Sequence, residues 1–90
     1  MSESTSHKTH ADITKRLKRA EGHLRTIITM MEEQRSCLEL AQQLHAVEKA
    51  VGAAKKLLIH DHIDHCLEDA LRTPSKGNTI EEFKEITKYL

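Results

Sequence analysis

"SCLELAQQLHAVEKAVGAAKKLLIHDHIDHCLEDAL", residues 36–71, holds no proline and no interruption other than Gly52. Within it Leu40, Leu44, Val47, Val51, Ala54 and Leu58 recur at intervals of three and four. That spacing lines side chains along one face of an α-helix and does not suit a strand. Ser36 followed three residues later by Glu39 is a capping box, so the helix opens at Cys37. It should reach about Leu71, a length of roughly 52 Å at about 1.5 Å per residue. A chain of 90 residues has too little left over to cover a helix that long. The fold must therefore be an open helical one, completed by another copy.

The remaining sequence supplies two shorter helices. Asp12 is a suitable N-cap, and Ile13, Leu17, Ala20, Leu24, Ile27, Ile28 and Met31 set out helix 1 over about residues 12–33. Pro74 and Gly77 mark a loop, and Thr79 with Glu82 forms a second capping box opening helix 3 through Phe83, Ile86 and Leu90. No strand pattern, repeat or low-complexity tract is present. The expectation is an all-α chain of three helices, with a flexible N-terminal tail over 1–11 and a single helical domain over 12–90. With 2% aromatic residues and no tryptophan, the core must be built from Leu, Ile, Val, Ala and Met.

Fourteen Lys and Arg balance fourteen Asp and Glu, so the whole molecule exerts no strong pull on nucleic acid or membrane. The distribution is uneven. Lys15, Arg16, Lys18, Arg19 and Arg25 lie near Glu21 alone, and Lys55 and Lys56 add to them on helix 2; the last third is acidic. No stretch approaches the roughly 18 apolar residues that span a bilayer, and the first ten residues lack a signal core. The expected location is the cytoplasm, with no membrane partner. In that reducing compartment two cysteines are ligands or reactive thiols rather than a structural disulfide.

"HDHIDHC", residues 60–66, concentrates the chemistry. His62 and Cys66 stand four apart and share a helix face. Cys37, the only other cysteine, lies about 38 Å from His62 along the same helix, too far to share an ion within one chain. An antiparallel pairing of two copies about the small residues of "AVGAA", 50–54, changes this. Position 37 of one copy then falls level with 64 or 65 of the other, and Cys37 meets His62 and Cys66 twice per dimer. One imidazole and two thiolates make a soft, low-coordinate site of the type that selects Cu(I).

Taken together, these residues resemble the CsoR-type family of copper-sensing repressors, whose relatives respond to nickel and cobalt, formaldehyde or persulfide. The resemblance covers about residues 10–90. It rests on "RLKRAEGHL" (16–24), on "CLELAQQLHAVEKAV" (37–51) and on the register of Cys37, His62 and Cys66. It implies a helical dimer assembling into a dimer-of-dimers tetramer. That assembly would bind double-stranded operator DNA without metal and leave it when Cu(I) binds Cys37, His62 and Cys66, with Glu82 of helix 3 beside them. Having both His62 and Cys66 points to the copper branch. The alternatives are a nickel or cobalt sensor drawing a further nitrogen from His7 or His10, a thiol-based sensor, and a copper buffer without DNA affinity.

Each residue also has a plainer reading. The basic cluster, Lys15, Arg16, Lys18, Arg19 and Arg25, is the candidate phosphate-binding face, yet charge runs are commonly just solvated. Met30 and Met31 fall at core spacing. His60 and His65 are read as solvent-facing, within reach of Asp61, Asp64 or Asp69, and His7, His10, His23 and His45 as surface residues. No oxyanion loop or Gly-rich turn accompanies the Cys/His pair, so the chain is not expected to be an enzyme.

Overall fold

The computed structural model describes the backbone of residues 2–72 and 78–90, with side chains over 9–68, 71–72 and 80–90. The described chain consists of α1 (Ser2–Glu32), α2 (Cys37–Arg72) and α3 (Asn78–Thr87), with no strand. The 36 residues of α2 correspond to about 54 Å of helix, close to the 58 Å long dimension of the molecule. α2 is thus the spine. α1 folds back antiparallel along it, and α3 packs near its C-terminal end. The expected loop markers Pro74 and Gly77, the Thr79 cap, the His7 side chain and that of Asp69 lie outside the described residues.

The turn between α1 and α2 is built by two adjoining caps. At the end of α1 the Gln34 amide donates to the Met31 carbonyl at 3.1 Å and the Arg35 amide to that of Met30 at 3.1 Å. This is the Schellman arrangement, which requires a left-handed residue just past the helix. Gln34 supplies it with φ 58°, although glycine is the usual occupant. Ser36 then caps α2: its Oγ accepts from the Glu39 amide at 3.2 Å, as the capping box implied. Arg35 donates to the Glu39 carboxylate at 2.7 Å, fixing the acid side of the box.

α1 begins at Ser2, ten residues before the start expected at Asp12. A flexible tail was expected over 1–11, and the structure has helical backbone from residue 2 onward. Asp12 therefore does not cap. It pairs with Arg16 one turn on, at 3.2 Å. An established helix gains one hydrogen bond for each residue it adds, so it can propagate backwards through weak helix formers such as Ser, Thr and His.

The core between α1 and α2 comprises Ile13, Ala20, Ile27 and Met30 on one side and Val47, Ala54, Ile59 and Cys66 on the other. Ile13, Ala20 and Ile27, Val47 and Ala54, and Ile59 and Cys66 each repeat every seven residues, the geometry of helices crossing at a shallow angle. The apolar stripe of each helix is wider than its neighbour can cover. On α2, Leu44, Val51 and Leu58 remain 47%, 45% and 41% exposed, a second heptad series running beside Val47 and Ala54. On α1, Leu17, Leu24, Ile28 and Met31 are likewise exposed.

Candidate metal centre

Three donors converge where α2 and α3 meet. Cys66 Sγ lies 3.2 Å from His62 Nε2, the two being neighbours across one helical turn. Glu82 on α3 brings a carboxylate oxygen to 3.7 Å from the same nitrogen. Cys66 is buried at 6% exposure, while His62 is partly accessible and Glu82 exposed. An ion held about 2.3 Å from sulfur and about 2.1 Å from nitrogen separates those donors by about 3.5–3.8 Å. The observed pair needs to open by only a few tenths of an ångström, so the donors fit a metal.

Cys37 is not part of this cluster. It is exposed at the first position of α2, about 38 Å along the helix from His62. Its place on the helix is nevertheless informative. Cys37, Leu44, Val51 and Leu58 follow one another at seven-residue steps, and His62 comes four residues later. A thiol and an imidazole therefore mark the two ends of a stripe of exposed apolar side chains.

The other histidines divide. His60 is exposed, as expected. His65 departs from its expected exposure: its side chain is 24% exposed and stands 3.7 Å from Asp61, and its Nε2 is buried with no hydrogen-bond partner. The sequence held a signal for this. Asp61 continues the seven-residue series of the buried Val47 and Ala54, and His65 stands one turn from it. His23, read as a surface residue, instead reaches Gln43 at 2.6 Å and ties α1 to α2. His45 stays at the surface beside Glu48.

The basic residues lie on the exposed outside of α1. Arg16 is tied to Asp12 and Arg25 to Glu21 at 3.6 Å. Among the described residues Lys15, Lys18 and Arg19 carry no ion pair, and Lys15, Arg16 and Arg19 line one shallow cleft with Asp12.

An all-helical hairpin with a cysteine–histidine pair at one end, a second thiol at the other and a basic outer face suits a metal-responsive regulator. Known proteins agree. Residues 9–89 match the family described as a metal-sensitive transcriptional repressor, and the chain belongs to that family. It is 38% identical to the copper-sensing transcriptional repressor CsoR of Bacillus subtilis, over 92% of this chain and 86% of that one. A CsoR of Mycobacterium ulcerans is 32% identical over 82% of this chain, which spans 63% of that relative's length. Among solved structures, the nickel-responsive transcriptional regulator InrS superposes with a TM-score of 0.80 at 32% identity, covering 88% of this chain and 89% of that one. The chain is accordingly a metal-responsive transcriptional repressor, and the family is not an enzyme class. No helix among the described residues is long and apolar enough to cross a membrane.

Proposed function

We propose that this chain is a cytoplasmic Cu(I)-responsive repressor, held on operator DNA as a homotetramer without metal and released from it by Cu(I). The ligands are Cys37 of one copy and His62 and Cys66 of a second, aligned antiparallel. The observation that carries this reading is the placement of Cys37 and His62 at opposite ends of one exposed apolar stripe on α2. Burying Leu44, Val51 and Leu58 against their equivalents joins the two ends, so the contact that removes apolar surface from water also assembles the site. Two sulfurs and one imidazole nitrogen suit Cu(I) over harder ions. The curated relatives named above are copper sensors, which supports the same choice.

Lys15, Arg16, Lys18, Arg19 and Arg25, repeated over four copies, contact DNA phosphates. Glu82, whose carboxylate stands 3.7 Å from the His62 nitrogen that faces Cys66, neighbours the ion from α3 and so links ligand geometry to that helix. A ligand that crosses between two copies of α2 favours one interhelical arrangement over another. The spacing of the basic faces changes with it, and release follows from the difference in affinity between the two arrangements.

The test is an anaerobic titration of the reduced protein on a fluorescent copy of the DNA upstream of its own gene, at fixed salt. Release by about one equivalent of Cu(I) per chain is expected, and its loss in Cys37→Ala and His62→Ala. Release by Ni(II) and not Cu(I) would transfer the protein to the nickel-responsive class of InrS. Indifference to both metals, with release by a persulfide or aldehyde, would assign the chemistry to the thiols. Cu(I) binding without any affinity for the DNA would leave a copper buffer.

A further inference from the structure

We propose that Asp61 and His65, joined by His10 of α1, form a second cation site, built of nitrogen and oxygen donors and suited to a borderline divalent ion of the zinc, cobalt and nickel class. The site shares no donor with the sulfur-containing one beside it and does not depend on the copper reading. His65 Nε2 is buried and lacks a hydrogen-bond partner. Leaving such an atom unsatisfied is unfavourable, a cost that a ligand would remove. Asp61 Oδ1 lies 3.7 Å from that nitrogen, and its side chain is only 12% exposed. The described contacts give this carboxylate no hydrogen-bond donor.

The separation suits a shared ion better than a hydrogen bond. Two donors each about 2.1 Å from a tetrahedral ion stand about 3.4 Å apart, within a few tenths of what is found, whereas 3.7 Å is too long for a hydrogen bond. His10, His65 and Asp61 line one cavity of about 330 Å³ closed by Leu58, His62 and Ile86. His10 is exposed and is the donor that swings inward on binding. Two imidazoles and a carboxylate select zinc, cobalt or nickel over Cu(I), for which the sulfur pair is the softer host.

The two sites are neighbours that use different donors. His62 also lines the cavity, but its Nε2 faces Cys66, whereas His65 Nε2 faces Asp61. All three donors of the nitrogen and oxygen site belong to one chain.

The reduced protein is titrated with Co(II), once as the apo form and once after loading with one equivalent of Cu(I) per chain. The expected result for the loaded protein is one Co(II) per chain with visible ligand-field bands and no thiolate-to-cobalt charge transfer. His65→Ala and Asp61→Asn should each weaken Co(II) by at least about tenfold, the lower end of what removing a supporting partner costs a metal site, and His10→Ala by a similar factor. Cu(I) affinity should stay unchanged in all three, with helicity confirmed by circular dichroism. No Co(II) uptake by the Cu(I)-loaded chain, a sulfur charge-transfer band in it, or uptake indifferent to His65→Ala and Asp61→Asn would overturn the proposal. Indifference to His10→Ala alone would overturn the part given to His10. A failure of the copper reading appears separately, in the Cu(I) titration itself, and the apo arm still reports whether cobalt meets nitrogen and oxygen or sulfur.

Discussion

Gln34 holds a left-handed backbone, φ 58°, that its own Cβ opposes. Left-handed geometry costs an ordinary residue roughly 1–2 kcal/mol and glycine little. Gln34→Gly should therefore stabilise the chain by about 1 kcal/mol, read as a higher midpoint in urea with an unchanged slope. Two residues on, Ser36→Ala removes the acceptor for the Glu39 amide and should cost about 1 kcal/mol in the same assay. The Arg35 guanidinium, hydrogen-bonded to Glu39, has its pKa raised above the ordinary arginine value, which keeps the arginine charged. The Ser36 cap was legible in the sequence because both of its partners lie within four residues. The Gln34 turn was not, since the glycine or asparagine that announces such a turn is absent. His65 was misread as solvent-facing because its surroundings include residues distant in the sequence, His10 and Ile86.

For the helices, periodicity carried most of the information. It placed α2 from Cys37 to within a residue of Arg72 and gave α1 its end near Glu32. It missed the first ten residues of α1, where no apolar spacing records a helix that extends by propagation alone. It also treated the apolar stripe of α1 as one surface, where the structure divides it into a covered half, Ile13, Ala20 and Ile27, and an open half, Leu17, Leu24 and Ile28. Which half is covered depends on the neighbour's position, which one helix does not encode. The basic face of α1 also divides. Lys15, Lys18 and Arg19 carry no described ion pair, while Arg16 and Arg25 each face an acid. Each of Lys15→Ala, Lys18→Ala and Arg19→Ala should lower the slope of log affinity for DNA against log salt by about 0.9 for every phosphate it leaves without a cation. Arg25→Ala should lower it by less, because the neighbouring Glu21 carboxylate offsets part of its field. Fluorescence anisotropy at four or five salt concentrations measures both.

At the scale of the whole molecule, the apolar surface left open on α2 is centred on Val51, 45% exposed within one chain. In an antiparallel pair the two copies of this residue meet at the pivot. Val51→Asp would place two carboxylates there and should weaken self-association by about 3 kcal/mol, over about 100-fold, whereas Val51→Leu should preserve it; sedimentation equilibrium separates the two. A chelator that strips Cu(I) from the released repressor should restore full DNA binding, since the metal acts by shifting a reversible equilibrium. The heptad series Cys37, Leu44, Val51, Leu58 has a further geometric consequence. A straight α-helix falls about 20° short of closing on itself every seven residues, so this line winds about 60° around α2 between Cys37 and Leu58. Two copies can keep it shared only by wrapping about each other in a left-handed sense, crossing at about 20°. His62, one turn past Leu58, rotates back most of that angle and returns to the bearing of Cys37. The thiol and the imidazole therefore share a bearing around the helix axis although they stand at opposite ends of the winding, and the angle at which the two helices cross sets how far apart they lie in the assembled pair.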